Sequence, residues 1–172
     1  MKLITALLAF FATFGLSIGI TGLMFGSQTN FGFGRHYDAQ TQRKVLTLLD
    51  QDIANGDERF DKFPRIKINE LLSSNSLLAG YADAVSEYSN KSANINDADL
   101  PQDFQIAWRA HMQAWRTHAD FLNQIKNPAV KQSFDQRELA YSLYGQSQEI
   151  KDTWFEALDV AEDYGAFPQN AY

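Results

Sequence analysis

Residues 104–125, FQIAWRAHMQAWRTHADFLNQI, constrain the fold more than any other stretch of the chain. Their large side chains fall at Phe104, Trp108, His111, Trp115, His118, Leu122 and Ile125. Those steps alternate between four and three residues, so on an α-helix they form one narrow seam of the coiled-coil kind. A seam of this kind has to be covered by other helices, and two of its members are histidines. The spacing predicts a helical bundle with imidazoles in its interior.

Three other segments carry matching periodicity. Val45, Leu48, Leu49 and Ile53 mark a first helix over residues 37–53, with Asn55-Gly56-Asp57 as its stop. A second runs over residues 66–88 on the seam Leu71, Ser74, Leu78, Tyr81, Val85 and Tyr88. Pro64 lies just before its start, and Ser73-Ser74-Asn75-Ser76 is a weak helix former that kinks it. Residues 91–101 are rich in Asn, Asp and Ser and read as a long connection. Asp99-Leu100-Pro101 then opens the third helix, with a capping aspartate, a proline in the first turn and Asp103 suited to the helix dipole. That helix stops before Asn127-Pro128. Ser133-Phe134-Asp135-Gln136 fits a capping box for a fourth helix reaching Tyr164, closed by Gly165 and Pro168. Its seam is Leu143, Ser147, Ile150, Trp154, Ala157, Ala161 and Tyr164. The expected fold is all-α: an antiparallel up-down four-helix bundle over residues 36–165, followed by a tail over residues 166–172. Seven-residue spacing favours near-parallel, left-handed packing.

Ahead of the bundle, residues 3–25 are 23 residues without a charge. At about 1.5 Å per residue such a helix crosses the roughly 30 Å hydrocarbon core of a bilayer. Residues 1–26 read as an uncleaved transmembrane anchor. The alternative is a signal peptide, since Met1-Lys2 precedes an apolar run to Phe14. No A-x-A cleavage site follows, Ser17-Ile18-Gly19 is a poor substitute, and the apolar run continues past it. With Lys2 held in the cytoplasm, the bundle is expected in the periplasm of a bacterium, anchored by a single pass of the inner membrane. Gly15, Gly19, Gly22 and Gly26 form two successive G-x-x-x-G steps along one stripe, a surface for close approach of another subunit or a second copy. Residues 27–35 are a flexible connector with Phe31 and Phe33 at the interface, and His36 beside Arg35 is a solvated residue near the headgroups.

The formal net charge is -6, and Lys2 is the single charge in the first 26 residues. A bundle this acidic is unsuited to nucleic acid. With no cysteine there is no disulfide, no thiolate metal site and no Cys-x-x-Cys-His attachment of haem.

If the third and fourth helices form a hairpin turning near Ala129 and Val130, His118 lies by Tyr141 and Tyr144, and His111 by Ser147 and Gln148. The imidazoles then form a satisfied polar layer that fixes helix register. The competing reading makes His111 and His118 cofactor-binding candidates in a metal or haem bundle. Against it, Trp108 and Trp115 stand three residues before the histidines, where di-iron bundles carry glutamate. Two helical turns also separate the histidines by about 10.5 Å, too far for one ion. No metal and no cofactor are expected.

Glu149, Asp152, Glu156, Asp159 and Asp163 form an acidic stripe beside the fourth seam, with Arg109 expected to pair to Glu149 and Asp152. Glu156, Asp159 and Asp163 project beyond that pairing and are interface candidates for a basic partner. No G-x-S-x-G, H-E-x-x-H or glycine-rich phosphate loop occurs, so no enzymatic activity is expected. The composite expectation is an accessory or assembly subunit of a larger membrane complex. A ligand-binding or sensor module working through a partner is the alternative.

Overall fold

The computed structural model describes residues 38–168, which contain six helices and no strand. The glycine stripe at Gly15, Gly19, Gly22 and Gly26, the connector and His36 lie outside the described residues. Among those described, no helix is long and apolar enough to cross a membrane.

Helix α1 spans Ala39–Lys62, capped by the Asp38 carboxylate, which accepts the Gln40 N–H at 3.1 Å. The expected stop at Asn55-Gly56-Asp57 does not act. The helix runs through Gly56 because the neighbouring side chains are tied to the next long helix. Asn55 Nδ2 donates to Ser92 Oγ at 3.1 Å, and the Tyr88 ring lies against Gly56. These tertiary contacts outweigh the roughly 1 kcal/mol that a mid-helix glycine costs. What ends α1 is Pro64, whose ring keeps Phe63 out of helical backbone, at φ -138° and ψ 86°. Pro64 therefore closes α1 and does not open the next helix.

The expected second helix is two, α2 over Ile68–Ser73 and α3 over Asn75–Ala93. The serine-rich stretch breaks the chain outright: Ser74 is extended, and its hydroxyl caps α3 by accepting the Leu77 N–H at 3.3 Å. Helix α3 continues beyond Tyr88, so the connection shortens to residues 94–101. Helix α4, Gln102–Ile125, starts on Pro101 with no side-chain cap, and Asp99 does not serve as one. Asp103 instead accepts a hydrogen bond from Tyr164 Oη, at 2.6 Å to Oδ1.

A short helix α5, Pro128–Lys131, capped by Asn127, occupies what was expected to be a simple turn. Helix α6, Gln136–Asp163, opens with a capping box two residues later than expected, on Asp135 and Glu138 rather than Ser133. Its far end is a Schellman closure: Gly165 takes φ 68°, Ala166 N–H reaches Ala161 O at 3.0 Å, and Ala166 is buried against the same turn. Asp135→Ala is expected to lower unfolding free energy by about 1 kcal/mol, read as a fall in the urea midpoint at unchanged m-value.

Helix α4 is the central element, packed against α3 on one side and α6 on the other, while α1 packs on α3 and touches α6. Contacts from Asp103 to Tyr164 and from His118 to Gln146 show α4 and α6 running antiparallel. Ion pairs among Glu58, Lys62, Glu87 and Lys91 lie on the outside of the α1–α3 contact, where solvent leaves them little energetic weight. The apolar core comes in two blocks. One gathers Val45, Leu48, Leu49, Phe104, Trp108 and Leu158; the other gathers Leu78, Val85, Leu122, Ile125, Leu139 and Leu143. Trp115 packs against both, and at its level the interior turns polar.

Candidate functional site

Both seam histidines are buried in that polar layer. Trp115 Nε1–H donates to His111 Nε2 at 3.2 Å, which makes that nitrogen the acceptor and puts the ring proton on Nδ1. Nδ1–H in turn reaches Thr153 Oγ1 at 3.1 Å. The threonine hydroxyl can only accept here because its own proton goes back to the carbonyls of Glu149 and Ile150, at 2.8 and 3.0 Å. One neutral tautomer satisfies every group in the relay. Burial pushes the His111 pKa down to about 4 against a smaller opposing effect of the Ile150 backbone. His118 donates from Nδ1 to Gln146 Oε1 at 2.9 Å. Burial lowers its pKa as well, the Gln146 bond opposing and the Arg59 charge reinforcing the shift.

Two further groups complete the layer from α1, the buried Asp52 and the half-buried Arg59. Tyr88 Oη donates to Asp52 Oδ1 at 2.8 Å, and burial raises the Asp52 pKa to about 6 although Ser92, Tyr88 and Arg59 all favour the carboxylate. The Arg59 guanidinium lies 5.1 Å from the Trp115 ring centre and 5.7 Å from that of Tyr88. Its Nε is buried without a hydrogen-bond partner among the described residues, as is Ser89 Oγ. Contacts of the layer tie the helices together: the histidines join α4 to α6, Asp52 joins α1 to α3, and Arg59 lays α1 across rings from α3 and α4.

The layer holds helices together, and His111 is engaged at both ring nitrogens. The Nε2 lone pair of His111, the atom a metal ion would take, is already occupied by the Trp115 indole. His118 presents a single imidazole, and among the described residues no group of three or more His, Cys, Asp or Glu side chains is placed to share an ion.

The expected hairpin pairing is corrected by more than one helical turn. His118 faces Gln146, and His111 faces Thr153; Tyr141 and Tyr144 point outward, 75% and 58% exposed. Ser147, assigned to the α6 seam, is exposed, and Gln146 and Thr153 take the inward positions. The cause is α5, which absorbs residues between the two long helices and displaces the turn toward Gln132. Arg109 does not meet Glu149 or Asp152. It pairs with Asp97 in the preceding loop, at 2.7 Å from Nε and 3.1 Å from Nη2. Glu149 is half-buried with its pKa raised by burial, whereas Asp152, Glu156, Asp159 and Asp163 are exposed along α6.

Asp52 and Arg59 were not singled out from the sequence. Asp52 sits one residue from Ile53 on the expected apolar face, and Arg59 lies beyond the expected end of the helix, so no periodic signal marked either. Gln146 and Thr153 were legible in principle, since 139, 143, 146, 150, 153 and 157 also step by four and three. Open surface grooves lie elsewhere among the described residues. One, about 670 Å³, follows the start of α1 beside Arg43, Lys44 and Leu100; another, about 790 Å³, lies between α2 and the first turns of α6. Comparison with protein-family models, curated proteins and solved structures finds no match.

Proposed function

We propose that the protein is a non-catalytic accessory subunit of a larger membrane complex. Residues 1–26 anchor it by a single pass in a bacterial inner membrane, and an antiparallel up-down four-helix bundle stands in the periplasm. The uncharged stretch of residues 3–25 supports the anchor. The observation that carries the functional reading is the closed relay Trp115–His111–Thr153. It commits His111, at both ring nitrogens, to a hydrogen-bonded relay that holds α4 on α6. What remains to act on other molecules is the outer surface of the bundle, together with the small-residue stripe Gly15, Gly19, Gly22 and Gly26, which suits helix pairing within the bilayer.

The test is the native mass of the full-length chain released gently from its own membrane. A mass well above one chain, with other polypeptides attached, is the expected result. An integer multiple of this chain alone would make it a self-assembling protein, and one chain carrying a few hundred extra daltons would replace the proposal with a cofactor-binding one.

A further inference from the structure

The groove between α2 and α6 has an apolar floor of Ile66, Ile68, Leu72 and Ala140 and is walled by Tyr141 and Tyr144. Both tyrosines are largely in solvent, the most exposed large apolar side chains of α6. Tyrosine rings bring contact area at low entropic cost, which is why they anchor protein interfaces. Beyond the groove the same face of α6 becomes acidic. Asp152 and Asp159 follow Tyr141 by eleven and eighteen residues, three and five turns of a helix, so they continue its line; Glu156 flanks them. All three carboxylates are exposed, and none has an ion-pair partner among the described residues. Lys67 stands at the opposite, groove end of the line.

Resting on the accessory-subunit reading, we infer that this face of α6 docks a cationic amphipathic helix of a partner polypeptide, its apolar residues seated between Tyr141 and Tyr144 and its lysines or arginines over Asp152, Glu156 and Asp159. Charge complementarity selects this occupant: a neutral apolar helix leaves the carboxylates unanswered, and a second copy of the acidic α6 face places like charges together. The partner helix runs antiparallel to α6, which sets its negative C-terminal end by Lys67 and its positive N-terminal end over the carboxylates.

The test uses the full-length chain in its native membrane with two paired variants, Tyr141→Ser with Tyr144→Ser, and Asp152→Lys with Asp159→Lys. All four side chains are exposed, so the melting midpoint of each variant should match that of the parent. Each pair is expected to reduce the co-purifying polypeptide by about tenfold or more, and the Asp variants should also abolish its sensitivity to salt. A p-benzoylphenylalanine at Tyr144 is expected to cross-link to a lysine- or arginine-rich helical segment. Full retention of the partner in both variants, or a cross-link to an acidic segment or to a second copy of this chain, overturns the inference and leaves the accessory reading standing. A parent chain that emerges alone overturns both.

Discussion

Replacing His111 with alanine is expected to cost about 3–4 kcal/mol of unfolding free energy at pH 7.5, since it opens a cavity and strands two partners, the Trp115 indole and the Thr153 hydroxyl. The same change should also remove one of two opposing contributions to the pH dependence of stability, the one that falls with acid. In the folded state the imidazole stays neutral down to a pKa of about 4, whereas in the unfolded chain it takes a proton near 6.5. A depressed pKa means that the stability His111 contributes is complete above pH 6.5 and is lost as pH falls toward 4. The total is on the order of 3 kcal/mol. His118 shifts in the same direction and adds to the slope. Urea unfolding at pH 7.5 and pH 4.5 measures this: the stability deficit of His111→Ala relative to the parent should shrink by about 2–3 kcal/mol between the two. An unchanged deficit would mean that the imidazole titrates in the folded protein as it does in the unfolded chain. Trp115→Phe, alone and combined with His111→Ala, closes a double-mutant cycle whose coupling should be about 1 kcal/mol if the indole bond is as described.

Asp52→Asn should do the reverse. The carboxyl has its folded pKa raised to about 6 from 3.8, so the native state is relatively favoured below pH 3.8 and loses that advantage as pH rises through 6. At pH 8 the buried charge is a liability of up to about 3 kcal/mol. Asparagine keeps an oxygen for the Tyr88 hydroxyl at no charge, so the variant should be more stable than the parent at pH 8 and equal to it near pH 4. A variant less stable than the parent at pH 8 would show the Asp52 charge to be an asset, answered by Arg59 more fully than the geometry indicates. Because the Asp52 and His111 slopes oppose each other, the parent should show a flatter pH profile between 4 and 7 than the Asp52→Asn variant does.

The α4 seam could be read from the chain because heptad spacing is a property of one helix: Phe104, Trp108, Leu122 and Ile125 are buried, Trp115 is partly buried, and both histidines went inside as expected. What could not be read was how α4 meets α6. The pairing depends on how many residues the turn consumes, and Pro128 with the Asn127 cap built a helical turn where an ordinary loop was expected. That one element moved Tyr141 and Tyr144 from the interior to the surface. It also brought Gln146 and Thr153 to the imidazoles. Gly56 misled for a related reason, since local propensity marked a stop while Tyr88 and Ser92, distant in sequence, held the helix together. Arg109 found Asp97 because the preceding loop folds back within its reach, a geometry no periodicity encodes.

Heptad seams are degenerate: sliding α6 by seven residues along α4 returns leucines and alanines to roughly equivalent places, at small loss of apolar contact. The two histidines remove that degeneracy. One slide sets His118 against Leu139, the other sets His111 against Val160, and each buries an imidazole with no acceptor for its proton. The observed alignment alone answers both rings, through Gln146 and Thr153. The polar layer thus acts as a two-digit key, widening the energy gap between the native arrangement and its nearest misaligned competitors even where it adds little to the native state itself.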